Sequence, residues 1–165
     1  MTEKVIVKVG MAELKAASGE GQLLRTVGLG SCVGIALYDR FAKVAGLAHI
    51  MLPSSDIARD NPLNKAKYAD TAIPELLARM QEIGAVMPRI VAKLAGGAQM
   101  FSSVPESSTL RIGQRNVDAC KAGLLRYNIP ISAEDTGGNY GRTIELDSST
   151  GILFIRSVQF GAKEL

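Results

Sequence analysis

TVGLGSCVGIALYDRFAKVAGLAHIMLP, residues 26–53, is the stretch on which the reading of this chain turns. It sets two nearly continuous apolar runs, CVGIALYD and VAGLAHIML, on either side of a short polar connection, DRFAK. Runs of this length, rich in Val, Ile and Leu and bounded by Gly, Pro or Asp, read as strands buried on both faces. A connection this short favours an antiparallel hairpin, which brings the first residues of one strand near the last of the next. Counted outward from the turn, Cys32 and His49 lie at comparable distances on opposite arms.

Working outward, KVIVKV near the start and QLLRTVGL before the hairpin read as further strands, and PSSDIARDNPLN as a polar loop. From Ala66 to Ile83 apolar residues recur at helical spacing (Ala69, Ala72, Ile73, Leu76, Leu77, Met80), and Gly84 is placed to stop the helix. Pro74 complicates its start. Either Asp70 caps the helix and Pro74 sits near the first turn, or an earlier segment kinks there. RIVAKLAGG reads as a buried strand and AQMFSSVPESSTL as a long loop. GQRNVDACKAGLLRYN forms a second helix with Val117, Cys120, Leu124 and Tyr127 on one face, and the last third gives three strands broken by Gly-rich turns. Eight or so strands with two irregularly inserted helices argue against a doubly wound parallel sheet. The expected fold is α+β: one layered domain spanning residues 1–165, with two packed mixed sheets and outer helices.

Composition narrows the function classes. The 165 residues carry 19 basic and 16 acidic side chains, a formal charge of +3, with no block of like charge, no Trp and 5% aromatics. Nucleic-acid binding, which draws on a concentrated basic stripe and stacking side chains, is not expected. No run is long enough to span a bilayer and the N-terminus lacks the apolar core of a signal peptide, so a cytoplasmic protein without membrane insertion is expected. In that reducing compartment Cys32 and Cys120 are free thiols.

GLGSCVG invites a dinucleotide-loop reading, but Val33 stands where the third glycine belongs, and strand rather than helix follows. The glycines instead mark a sharp turn delivering Ser31 and Cys32, whose backbone amides can face a developing oxyanion. Cys32 is either a small buried hydrophobe or a nucleophile; His49 is either a satisfied core residue or its base. If the two meet, the pair suffices for acyl-type hydrolysis, because an adjacent imidazole raises the thiolate fraction. Thr26, on the preceding strand, can orient the imidazole or simply favour the strand. Cys120 belongs to the apolar face of its helix. The Cys and His spacing fits no zinc pattern.

Six segments in order, GLGSCVGIALYD, GLAHIMLP, KYADTAI, KLAGGAQMF, IGQRN and DTGGNYGR, resemble the CheD family, the chemoreceptor glutamine deamidases of bacterial and archaeal chemotaxis. The resemblance implies that Cys32 is the nucleophile, His49 its base and Thr26 the third member of a triad. It implies a layered sandwich related to that of bacterial deamidase toxins, and hydrolysis of receptor glutamine to glutamate through a cysteine thioester, with no metal or organic cofactor. The implied partners are the cytoplasmic domains of chemoreceptors, as substrate, and a CheC-type phosphatase. Phe101 resembles a residue at the phosphatase contact, and alternatively closes the core beneath its loop. A chain acting chiefly as a regulator of that phosphatase is the alternative function. Transglutamination and receptor methyl-ester hydrolysis use the same carbonyl chemistry.

Overall fold

The computed structural model describes residues 3–100 and 111–165. In chain order its strands are β1 (Val5–Lys8), β2 (Leu14–Ser18), β3 (Gln22–Leu29), β4 (Val33–Asp39), β5 (Val44–Ile50), β6 (Val91–Gly96), β7 (Ile131–Thr136), β8 (Arg142–Asp147), β9 (Leu153–Ser157) and β10 (Gly161–Glu164). Helix α1 (Ala69–Glu82) lies between β5 and β6, and α2 (Ile112–Arg126) between β6 and β7. Two five-stranded sheets form, in the orders β1-β3-β8-β9-β10 and β2-β5-β4-β6-β7. Each is mixed, because β1 runs parallel to β3 in one and β6 parallel to β7 in the other. The architecture is the expected α+β sandwich.

Strand alternation sorts the core into two layers. Val33, Ile35 and Leu37 of β4, with Val44, Ala48 and Ile50 of β5, turn toward α1 and α2 and meet Ile73, Leu76, Met80, Val117 and Leu124. Ala36, Ala45 and Leu47 turn the other way and meet Leu24, Ile144, Leu146, Leu153 and Ile155 of the first sheet. The second sheet is therefore the middle layer, which explains why β4 and β5 are apolar almost throughout. Each fully buried Leu or Ile contributes about 1.5–3 kcal/mol to this arrangement.

Two strands escape the sequence pattern. β2, LKAAS, contains no β-branched residue and is held by antiparallel pairing to β5. β10, GAKE, is exposed along its length and pairs only with β9 at the sheet edge. Helix α1 also starts later than its apolar spacing suggests, because residues 65–67 form a 3-10 turn and Tyr68, in extended conformation, is the N-cap. Asp70 does not cap the helix. Its carboxylate accepts from the backbone amide and hydroxyl of Ser55 instead, and Pro74 lies within the helix.

Candidate active site

Thr26, Cys32 and His49 converge where the chain passes from the first sheet to the second. β3 is irregular beyond Thr26, where its register against β8 shifts before Leu29. Such a bulge bends a strand and re-aims its end. Residues 30–32 then cross between the layers and β4 begins at Val33. Cys32 stands at this crossing, 8% exposed and packed among residues of the inter-sheet layer.

The hairpin expected from residues 26–53 is present. β4 and β5 pair in an antiparallel register that sets Val33 against Ile50 and Gly34 against His49. Asp39 closes the turn by accepting from the amides of Phe41 and Ala42. Cys32 is thus two residues before the partner of His49, on the same face. Diagonal neighbours of this kind stand about 7–8 Å apart between Cα atoms, within reach of an imidazole. His49 shares the parity of Ala45 and Leu47, so its ring lies between the sheets. Thr26, two residues after the inward-facing Leu24, shares that layer from the opposite side.

One hydrogen bond spans the two sheets at this point: Thr26 Oγ1 and His49 Nδ1 are 2.6 Å apart, with both residues buried. With the proton on Nδ1 the hydroxyl oxygen accepts it, and the Nε2 lone pair is left for another proton donor. Nε2 is buried and has no hydrogen-bond partner among the described residues. Buried polar atoms are usually satisfied, so the Nε2 lone pair is left for a group other than the described side chains. No hydrogen bond joins the Cys32 sulfur to the ring in this state. Contacts of this kind are commonly long before substrate binds.

Burial governs the resting charge. It pushes the Cys32 thiol above its ordinary value, partly offset by the residue's own backbone amide, which favours the thiolate. It pushes the His49 imidazolium below its ordinary value. Both shifts favour a neutral thiol facing a neutral imidazole. A proton must therefore move within the pair, or charge must be stabilised by an incoming group, before the sulfur acts as a nucleophile.

Ser31 lies in the turn with its carbonyl held by the side chain of Asn116, 2.9 Å away. Cys120 is far from this chemistry in kind: it is fully buried between Val117 and Leu124 in the helix-side layer, and its thiol is pushed far above its ordinary range. Phe101 lies outside the described residues. Among those described, no group of three or more His, Cys, Asp and Glu side chains is arranged to hold a metal ion, and no helix is long and apolar enough to cross a membrane.

Among the buried polar residues that escaped the sequence reading, two tie segments of the site to the rest of the fold. Asn116 sits on α2 with Cys120 and Leu124 at successive steps of four, a polar interruption of an apolar stripe. Its Nδ2 donates to both Ser31 and Met51 carbonyls. Arg142 opens β8 on the same parity as the inward Ile144 and Leu146, and is 3% exposed. It pairs with Asp135 of β7 at 3.1 Å and donates to the Gly137 carbonyl and Tyr140 hydroxyl, which fastens the turn between β7 and β8 and links the two sheets. In each case a polar residue at an apolar phase was the available signal.

Comparison with known proteins supplies independent findings. A family model described as CheD chemotactic sensory transduction matches residues 51–157. A protein of Caldanaerobacter subterraneus subsp. tengcongensis named probable chemoreceptor glutamine deamidase CheD is 55% identical over 98% of this chain and 98% of its own length. The chemoreceptor glutamine deamidase CheD of Halalkalibacterium halodurans is 52% identical over 97% of this chain and 98% of its length. That of Bacillus subtilis is 46% identical over 99% of this chain and 98% of its length. These relatives extend across the Thr26, Cys32 and His49 segment that the family match leaves out.

Proposed function

This chain belongs to the CheD family, and from that premise we propose that it deamidates glutamine side chains of chemoreceptors, with Cys32 as nucleophile. The observation that carries the reading is the Thr26–His49 bond between the sheets, which orients a buried imidazole whose Nε2 is open on the face it shares with Cys32.

In the proposed reaction His49 Nε2 takes the proton of the Cys32 thiol as the sulfur attacks the side-chain carboxamide carbon. The carbonyl electron pair moves onto oxygen, and the amides of Ser31 and Cys32 donate to that oxyanion. The imidazolium returns its proton to the nitrogen, the C–N bond breaks and ammonia departs, leaving a γ-glutamyl thioester. Water then gives a proton to Nε2 and its oxygen attacks the thioester carbon. The C–S bond breaks, the thiolate recovers the proton, and glutamate is released. Thr26 holds the ring throughout. Every step uses side chains and backbone amides of this polypeptide, and water.

The substrate in this reading is the cytoplasmic part of a chemoreceptor, which places the protein in the cytoplasm. A CheC-type phosphatase is its second partner. Binding of that phosphatase by wild type and by a folded Phe101→Ala variant, compared by titration, tests the latter; undiminished binding by the variant excludes Phe101 from the contact.

The catalytic reading is tested by incubating receptor cytoplasmic fragment with wild type and Cys32→Ala, following ammonia release and the amide-to-acid mass change. Conversion by wild type alone is expected. Conversion by the alanine variant at the wild-type rate removes Cys32 from the mechanism. Added primary amine distinguishes hydrolysis from transglutamination, since only the latter yields a substituted amide.

A further inference from the structure

The side chain of Asn116 is 0% exposed and touches both ends of the catalytic hairpin from behind. Nδ2 donates to the Ser31 carbonyl at 2.9 Å, one residue before Cys32, and to the Met51 carbonyl at 3.0 Å, two residues after His49. Both partners are acceptors only, so the orientation of the amide is fixed and both donor hydrogens are committed. Oδ1 has no partner among the described residues. These two donations, both to backbone carbonyls that cannot donate in return, set the position of the buried amide.

The backbone is shaped to let α2 come this close. Gly113, one turn before Asn116, has space for a Cβ only at 2.3 Å from the Ala98 carbonyl and 2.6 Å from that of Gly97. Gly96, at φ +108, likewise has no room, since a Cβ there would stand 2.3 Å from the Cys32 carbonyl. The same segment holds Cys32 from its other side, where the Gly97 amide donates to the Cys32 carbonyl at 2.8 Å.

The Ser31 carbonyl and the Cys32 amide belong to one planar trans peptide, so they point in opposite directions. A donor gripping the carbonyl from the α2 side therefore aims the amide away from α2, and polarises it as a donor. That amide is the group that favours the Cys32 thiolate. We propose that Asn116 is a positioning residue that, by holding the Ser31 carbonyl and the Met51 carbonyl together, aims the Cys32 amide at the reacting sulfur and oxyanion and fixes the spacing of Cys32 and His49. This rests on the reaction proposed above for its catalytic part, but the effect on the thiol itself does not.

Among the described residues, the charged and titratable groups nearest the thiol whose contacts bear on it are His49, Arg142 and Asp135. His49 lies on β5, and beyond Gly96 the Arg142–Asp135 pair joins β8 to β7, with Arg142 3.5 Å from the Gly96 carbonyl. None of these is altered by substitution at 116.

The test is the pH dependence of iodoacetamide alkylation at Cys32, read by peptide mass so that Cys120 does not contribute, in wild type, Asn116→Ser and Asn116→Ala. The alkylation midpoint is expected to rise by about half a pH unit to one unit in Asn116→Ala, with Asn116→Ser, which keeps one donor, lying between. In parallel, kcat for receptor deamidation is expected to fall about 10²-fold in Asn116→Ala while KM changes by less than about threefold. A folded Asn116→Ala with the wild-type midpoint overturns the inference, as does a fall confined to KM. A raised midpoint where even the wild type fails to deamidate receptor overturns the reaction and leaves the hold of Asn116 on the thiol supported. Should both variants fail to fold, the wild type still decides: slow solvent exchange of the Asn116 Nδ2 protons by NMR supports the clamp, and fast exchange overturns it.

Discussion

The two buried layers of this sandwich differ in what they tolerate. The layer between the second sheet and the helices is built mostly from Val, Ile, Leu, Met and Ala, with Asn116 the polar residue on the buried face of α2, and a cysteine placed there, Cys120, packs as one more small hydrophobe. The layer between the sheets is also mostly apolar, yet at one end it holds Thr26, His49, Cys32 and Arg142. Both cysteines are buried, and burial raises both thiols. What separates them is company: Cys32 has its own amide and an oriented imidazole on the neighbouring strand, whereas desolvation is the sole cause acting on Cys120. In the proposed reaction it is these neighbours that set Cys32 apart from Cys120.

That contrast is most exposed at the cysteines themselves. Cys32→Ala is expected to lower receptor deamidation by at least about 10⁴-fold while leaving the melting temperature near that of the wild type. Cys120→Ala should keep turnover near that of the wild type, and turnover lost in Cys120→Ala with native Cys32 would erase the distinction between the layers. Next in size, Leu76→Ala, in the helix-side layer, should cost about 2–5 kcal/mol in denaturant unfolding with kcat retained. Thr26→Val keeps the strand former but removes the acceptor at Nδ1. It should reduce kcat about 10-fold to 10²-fold, because a buried polar atom loses its partner. Cys120→Ala itself should cost only about 1 kcal/mol of stability.

The smallest expected effect is on stability against pH. Burial lowers the His49 pKa from its ordinary 6.5, so below that value the unfolded chain binds a proton that the folded chain resists, and stability falls as pH drops. Burial raises the Cys32 pKa from its ordinary 9.0, so above that value the unfolded chain loses a proton the folded chain retains, and stability falls as pH rises. Together they favour a plateau between these values. In Cys32→Ala the alkaline loss should be smaller, which unfolding curves on both sides of pH 9 measure.

Much of this contrast was legible in the residues. The central hairpin follows from two apolar runs and a short polar turn, and its register is a matter of counting outward from Asp39–Lys43. Period-four spacing disclosed both helices. β2 and β10 were hidden for a physical reason: an Ala- and Lys-containing strand and an exposed edge strand owe their pairing to a neighbour rather than to their own side chains. The start of α1 was displaced because an extended Tyr68, invisible to periodicity, separates it from the preceding 3-10 turn. The sequence signalled that Cys32 and His49 could share a face, but the contact of Thr26 with the ring depends on how two sheets stack, which no local pattern encodes. Asn116 and Arg142 each broke an apolar phase, and their partners lie on remote segments that only the fold brings together.

The most direct measurement is acid quenching of wild-type protein within the first turnover on glutamine-bearing receptor fragment, followed by peptide mass mapping. An acyl adduct on the Cys32 peptide that forms before glutamate and decays as glutamate accumulates is the expected result. Glutamate appearing at full rate with Cys32 unmodified throughout, or an adduct carried by Cys120 instead, would contradict it.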